Sequence, residues 1–434
     1  MRRAGTLNAP TRPRPMSWLA LAALGLALVM TVFDPSVAWR MLLLTLAAVM
    51  VIAYWYTSSI GRGLSITRTR RYGWASVGDR VEEYFELTNA SRFPLLWVEI
   101  DDASTLPGYT ARRVEALNPN SMKRWTIDLV ARRRGLYQLG PLRLRWGDPF
   151  GLFEATCDDA QVEQFIVYPP IARLPRLELP RGAASGTART RRRALEWTTN
   201  VASVRHYAPG DELRTIHWPT TARRDSLYVK EFDREPAGDV WIVIDLDAAV
   251  QAGAEAESTE EYGVVFAASM LNTLLADGRA VGLAVSGAAP AIIPPGRGGE
   301  HFWRILRELA TVTAAPGPSL DDFLGRVSSS FGRGLSIVLV TPSVSEAWLG
   351  RVAGFRRRGM AIHVALLDGT TFDPPRAGSA AAAGVLSQQL AELGAGVTRI
   401  DRRYRFDLVQ QGRRQGQQEY IVGATGRAIL KPVE

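Results

Sequence analysis

The chain has 434 residues, a net charge of +9 and one cysteine, Cys157. That length suits two or three domains. The lone thiol excludes an intrachain disulfide and a cysteine metal cluster, and four histidines (His206, His217, His301, His363), no two at ligand spacing, argue against a zinc site. Hydrophobic content of 47% and charged content of 22% lie near globular averages, so the soluble part can bury cores. Lysine occurs only at Lys123, Lys230 and Lys431, so arginine carries the basic charge. A GC-rich coding bias accounts for this without any function; phosphate recognition by arginine forks is the functional alternative. Arginine content alone is no ground for a nucleic-acid partner, and none is expected.

The predicted elements begin with a membrane hairpin. Residues 16–33 carry no charge, and residues 37–56 carry only Arg40 near their start. At about 1.5 Å per residue each reaches roughly the 30 Å hydrocarbon thickness. Trp18, Phe33, Trp39, Tyr54, Trp55 and Tyr56 stand at the ends, where interfacial aromatics belong. Asp34, Pro35 and Ser36 make the turn, and Pro35 breaks the helix. A cleaved signal peptide would have a shorter apolar stretch and no second span at once behind it. Arg2, Arg3, Arg12 and Arg14 precede the first span, and Arg62, Arg68, Arg70 and Arg71 follow the second, while Arg40 can snorkel outward. The positive-inside bias therefore predicts a multi-pass cell-membrane protein with both ends and all soluble domains cytoplasmic.

Residues 61–170 predict a β-sandwich. In 122–130 Trp125, Ile127 and Leu129 share a face; in 142–146 Leu142, Leu144 and Trp146 oppose Arg143 and Arg145. Further strands are expected at 64–70, 80–88, 95–101, 109–115 and 161–168, separated by turn signals such as Gly78-Asp79 and Asn118-Pro119-Asn120. Residues 171–200, rich in Pro, Gly, Ala and Arg, read as a linker whose basic run (Arg189, Arg191, Arg192, Arg193) either is solvated or touches anionic lipid.

Residues 203–232, SVRHYAPGDELRTIHWPTTARRDSLYVKEF, mix charges with Tyr207, Ile216, Trp218 and Tyr228. Such alternation is either an ion-pair network over an aromatic core or a recognition surface. Beyond it, within 201–400, strand and helix alternate: strands at 239–250, 280–286, 335–341, 361–367 and 396–400, and helices at 259–276, 299–312, 345–358 and 385–394. That order predicts a parallel sheet with helices on both faces. Residues 401–434, with QQGRRQGQQ at 410–418, read as a flexible tail.

The 203–232 stretch resembles the signature of the bacterial domain of unknown function 58 family, through Arg205, Tyr207, Gly210, Asp211, Arg214, Ile216, Trp218, Ala222, Arg223, Leu227, Val229 and Glu231. Upstream, RGLYQLGPLRLRWGDPFGLF (134–153) and VYPP (167–170) resemble the same family. The resemblance implies a MoxR-associated protein with a Rossmann-type von Willebrand factor A-like domain, membrane association and a MoxR-type AAA+ ATPase as partner. It points to Arg205, Tyr207, Gly210, Asp211, Arg214, Trp218, Arg223 and Glu231 as signature or partner residues.

A-like domains often hold Mg²⁺ on an Asp-x-Ser-x-Ser edge, a later Thr and an Asp after the fourth strand. Here the first position is Asp245, but the serine positions are Asp247 and Ala249. The later loop, PGPSLDD (316–322), offers Pro or Ser for the Thr, and the fourth edge is Thr341-Pro342-Ser343, with no Asp. Asp245 and Asp247 are thus the residues of a degenerate metal site, and no cofactor is expected. A Walker A loop is absent because no lysine follows a glycine, and Gly-x-Ser-x-Gly is absent. Gly296–Gly299 opens a helix and reads as an entry turn.

The expectation is a membrane-anchored, non-catalytic binding or scaffold protein with no small-molecule substrate. Its rivals are a metal-dependent ligand receptor using a rearranged site and a hydrolase using Asp211, His217 or Asp245.

Overall fold

The computed structural model describes residues 11–70, 72–159, 162–175, 201–208, 216–232, 238–287, 290–332, 334–373, 380–409, 420–422 and 428–430. It forms two compact units: Met1–Tyr168 with Gln411–Glu434, and Pro169–Gln410. Within the signature, Gly210, Asp211 and Arg214 lie outside the described residues, as does the Arg189–Arg193 run.

In the first unit, β1 (Arg14–Pro15) leads into helices α1 (Trp18–Phe33) and α2 (Val37–Gly63). Ser17 caps α1, its hydroxyl accepting from Leu19 N at 3.2 Å. The Arg40 guanidinium donates to the Pro35 carbonyl at 2.6 Å, so it turns back to the helix end as a snorkelling arginine should. Among the described helices α2 alone is long and apolar enough to cross a membrane. The first expected span is shorter than 16–33: α1 has 16 residues, about 24 Å at 1.5 Å per residue.

α2 runs without a break into β2 (Leu64–Arg70). Then follow β3 (Trp74–Ser76), β4 (Arg80–Asn89), β5 (Leu95–Asp102), β6 (Arg113–Leu117), β7 (Ser121–Val130), β8 (Gly135–Leu139), β9 (Leu142–Gly147), β10 (Phe153–Asp159) and β11 (Glu163–Tyr168). They make sheets of order β1-β10-β9-β5-β6, β2-β4-β7 and β3-β11-β8. Ile66, Phe85 and Leu87 of the second sheet share one core with Val98, Ile100, Leu144, Trp146 and Cys157 of the first, giving the sheet-on-sheet layering that alternate burial demands. The foot of α2 belongs to this core: Ile60 is fully buried, and Trp146 Nε1 donates to the Thr57 carbonyl at 3.0 Å.

A buried ionic knot sits among these strands. Glu83, fully buried, accepts from Arg68 at 2.7 Å, from Arg70 at 3.1 Å and from the Tyr109 hydroxyl at 2.6 Å. Burial first, then the Glu83 carboxylate, pushes the Tyr109 phenol up from its ordinary value, which keeps it a neutral donor.

The second unit contains β12 (Ala172–Arg173), β13 (Val201–His206), α3 (Trp218–Arg224), β14 (Tyr228–Phe232), β15 (Val240–Ile244), β16 (Gly253–Ala254), β17 (Glu257–Ser258), α4 (Thr259–Ala276), β18 (Val281–Val285), β19 (Ala291–Gly296), α5 (Gly299–Thr311), α6 (Leu320–Val327), β20 (Ser336–Thr341), α7 (Leu349–Arg357), β21 (Ala361–Leu367), α8 (Ala380–Glu392), β22 (Gly396–Ile400) and β23 (Asp407–Leu408). The main sheet has order β19-β18-β15-β20-β21-β22. The four pairings from β18 through β22 are parallel, and β15, β18, β20 and β21 are buried along their whole length, as strands covered on both faces must be. Trp241, Val243, Ile337, Leu339, Val364 and Leu366 point to one face, where Phe323, Phe355 and Leu386 of α6, α7 and α8 meet them.

Three expectations change. β19 adds an antiparallel edge to an otherwise parallel sheet; Pro294 and Pro295 hide it from a strand pattern, yet an edge is where proline is tolerated. The 316–322 loop ends as the first turn of α6: Ser319 accepts from Asp322 N at 3.3 Å, and Asp321 pairs with Arg351 at 2.9 Å. Last, the start of the linker and of the tail are structured. β12 pairs with β23, and Ala172 N donates to Ser269 Oγ of α4 at 2.9 Å. Residues 420–422 and 428–430 also pair as strands.

Candidate functional site

Two places in the second unit carry the residues singled out above. The first is the C-terminal edge of the main sheet. Asp245 follows β15, Ser286 follows β18, and Thr341 closes β20, so three adjacent parallel strands deliver their last side chains to one spot. Thr341 Oγ1 donates to Asp245 Oδ2 at 2.7 Å; Ser286 Oγ and Asp247 N donate to Oδ1 at 3.1 and 3.2 Å. Each hydroxyl accepts as well: Ser286 Oγ from Leu246 N at 2.8 Å, Thr341 Oγ1 from Ser343 N at 2.9 Å. Asp247 Oδ1 accepts from Ala249 N at 3.1 Å. The Asp247 loop is pinned from the side by Ala248 N to Ala315 O and Ala315 N to Leu246 O, both 3.1 Å.

Asp245 is 2% exposed. Burial raises its pKa above the ordinary carboxylate range, against the opposing pull of its donors, and Asp247 adds to the rise. Three donors already bond to the Asp245 carboxylate, and Ala249 brings no side-chain oxygen to the place that a serine fills in a metal-binding edge. Ser286 escaped the sequence reading because its strand end matches none of the ligand positions sought there. Thr341 was noted only as the place where an Asp was missing.

The second place is the signature. β13 and β14 pair antiparallel, with Arg205 opposite Val229 and His206 opposite Tyr228. Ile216 bridges to Val229, and His217 N donates to the Tyr228 carbonyl at 2.8 Å. His217 then caps α3, Nδ1 accepting from Thr220 N at 3.2 Å, and Asp225 ends it in the left-handed region at φ 49°. Of the two readings of the aromatic pattern, the buried one falls to Ile216, Tyr228 and Val229. The Tyr228 hydroxyl lies 3.0 Å from His206 Nε2, and the Arg224 guanidinium sits 5.6 Å over its ring. Trp218 points outward, 64% exposed, with Leu227, Arg205 and Arg223 also at the surface and Tyr207 half-buried. Glu231 lies on β14, opposite Ser203.

Of the hydrolase candidates named from sequence, His217 and Asp245 lie among the described residues, each in its own setting. His217 is spent on the α3 cap and Asp245 on the sheet edge, while Asp211 lies outside the described residues. Among the described residues no three His, Cys, Asp or Glu side chains are grouped to hold a metal ion. A cleft of about 650 Å³, unforeseen in sequence, lies between α4 and the arm 402–408, lined by Tyr262, Arg403, Tyr404, Arg405 and Phe406.

Residues 203–418 match the family described as Protein of unknown function DUF58. The chain is 30% identical over 246 residues to the uncharacterized protein YeaD of Bacillus subtilis (strain 168), covering 54% of this chain and 58% of that one. It is 24% identical over 179 residues to the uncharacterized protein Rv1480 of Mycobacterium tuberculosis, covering 40% and 56%. The chain thus spans little more than half the length of these curated relatives. Similarity to a solved CARDB domain from Pyrococcus furiosus is confined to 24% of this chain at 11% identity and a TM-score of 0.18, too low to bear on the fold. Through residues 203–418 the chain belongs to the DUF58 family.

Proposed function

We propose that the protein is a membrane-anchored, non-catalytic binding protein whose second unit is a von Willebrand factor A-like domain with a sealed metal edge. Its binding surface is the signature hairpin. The observation that carries this reading is Trp218: a large aromatic at the most individual stretch of the chain, facing solvent on the same short helix as the exposed Arg223 while Ile216 and Tyr228 hold the hairpin together. Exposed tryptophan and arginine are the side chains that dominate protein interfaces once covered. The family resemblance makes a MoxR-type AAA+ ATPase, or its client, the partner. The parallel sheet with Asp245 at its C-terminal edge supports the A-like assignment.

Anchoring follows from α1 and α2 crossing the membrane together as a hairpin, with the soluble units in the cytoplasm. The apolar faces of both helices and the flanking arginines support it. A periplasmic reporter fused after residue 434 should be inactive and a cytoplasmic one active; the opposite pattern overturns the orientation. Partner capture is tested with full-length protein in detergent, mixing Trp218→Ala or wild type with a MoxR-type AAA+ ATPase. Loss of capture at unchanged melting temperature is expected, and undiminished capture refutes the surface.

A further inference from the structure

The first unit grips the helical hairpin at both feet. Residues 11–16 run along the edge of β10: Thr11 N donates to the Thr156 carbonyl at 2.9 Å, Arg14 pairs opposite Glu154, and Met16 N donates to the Leu152 carbonyl at 2.8 Å. Two residues later α1 begins. On the other strand of the hairpin, α2 has no buried residue before Ala53, and from there on Ala53, Thr57, Ile60 and Gly61 are buried. Residues 37–52 thus match α1 in length, and Trp18 and Ala53 stand within one residue of equal distance from the turn 34–36. Both helices emerge from the β-sheets at one level.

The loop between β9 and β10 lies at that level, tied to Met16 through Leu152 and to α2 through the edge-on contact of Tyr54 with Phe153, 5.7 Å between ring centres. Its shape is built in. Asp148, 1% exposed, accepts from Phe150 N at 2.7 Å and from Phe153 N at 2.5 Å, and Gly151 takes φ 67° to close the turn. The product of this bracing is to hold Phe150 outward, 63% exposed. Trp18 and Trp55 are exposed at the helix feet, and the cationic Arg12 and Arg14 are exposed along the β10 edge that leads up to Met16.

We infer that this foot is a bilayer-docking face: Phe150 enters the acyl–headgroup boundary of an anionic leaflet while Arg12 and Arg14 meet its headgroups. Aromatic side chains partition to that boundary, and arginines near an anionic surface add attraction. The inference rests on the hairpin crossing the membrane, which sets the level of the leaflet. With both feet clamped and a third point inserted, the first unit is held at a fixed tilt on the membrane rather than swinging on a hinge.

The test uses full-length protein in vesicles of phosphatidylcholine and phosphatidylglycerol with doxyl-labelled acyl chains. Cys157 is buried and its thiol is pushed up to about 11, chiefly by burial, so at pH 7 a single added cysteine takes the fluorophore. Probes at Phe150→Cys and, within α2, Leu44→Cys should both be quenched by doxyl lipid, with blue-shifted emission; a probe at Val114→Cys, exposed on β6, should not. Quenching at Leu44→Cys without Phe150→Cys overturns the docking face and leaves the hairpin standing. No quenching at either overturns the hairpin and the docking face together. A Phe150→Cys probe shielded from aqueous iodide but untouched by doxyl lipid means that protein, such as a second copy, covers the face, and overturns the lipid assignment.

Discussion

Glu83, within a strand of the first unit, and Asp245, at the sheet edge of the second, are both buried carboxyl groups, and they are held in opposite ways. Glu83 faces two guanidinium groups, Arg68 and Arg70, plus the Tyr109 hydroxyl. Asp245 faces two hydroxyls and an amide, with no cation bonded to it. A buried charge must be compensated by an opposite charge or give up its ionisation. The first arrangement locks two strands to each other through charge. In the second, burial raises the pKa of Asp245 while its hydroxyl and amide donors oppose the rise.

The largest effect is expected at the compensated site. Glu83→Ala removes the carboxylate that Arg68 and Arg70 share, leaving them only Asp102 and Glu163, and should cost about 3–5 kcal/mol, read as a fall in melting temperature of full-length protein in detergent. A change under 1 kcal/mol would mean the knot is solvated and the contrast with Asp245 is empty.

At the uncompensated site the sign reverses. A carboxyl whose folded pKa is raised stabilises the fold at low pH, and that contribution is lost as pH rises through the folded value. Asp245→Asn keeps the shape without the titration. The variant should therefore be at least as stable as wild type at pH 8 and lose ground to it as pH falls. A variant clearly less stable than wild type at pH 8 would show that the ionised form is needed, and with it a bound cation. For the same reason millimolar Mg²⁺ should leave the melting curve unchanged; a bound ion would add about 2.7 kcal/mol at a hundredfold excess over its Kd.

The smallest effect on stability is expected at the signature. Trp218→Ala, at an exposed position, should change stability by no more than about 0.5 kcal/mol. A loss of several kcal/mol would place Trp218 in a core and remove the ground for a binding surface.

Much of the second unit could be read in sequence because its strands are continuous apolar runs and its helices are strongly patterned; α4 at 259–276 and β21 at 361–367 fall where expected. In the first unit the alternation of 122–130 and 142–146 was equally plain. The failures have physical causes. β10 alternates Phe153, Ala155 and Cys157 inward, but Asp159 continues the inward face and blurs the pattern. In β19 the prolines mask an edge strand. The 316–322 loop, sought as the place of the later Thr, ends in Asp321 and Asp322, acids placed at a helix start. The direction of Trp218 could not be had from residue types at all: a short helix after a histidine cap turns it outward, and both caps of that helix are local geometry. Likewise Asp245 was legible as a residue, but its partners Ser286 and Thr341 are adjacent only because three parallel strands end in register.

The central claim is that the protein binds through the signature hairpin and not through a metal at the sheet edge. The most direct measurement is capture of a MoxR-type AAA+ ATPase, the proposed partner, by full-length protein, compared for wild type with and without chelator, Asp245→Asn and Trp218→Ala. Capture should persist with chelator and in Asp245→Asn, and be lost in Trp218→Ala. Capture abolished by chelator and by Asp245→Asn, yet intact in Trp218→Ala, would contradict the account.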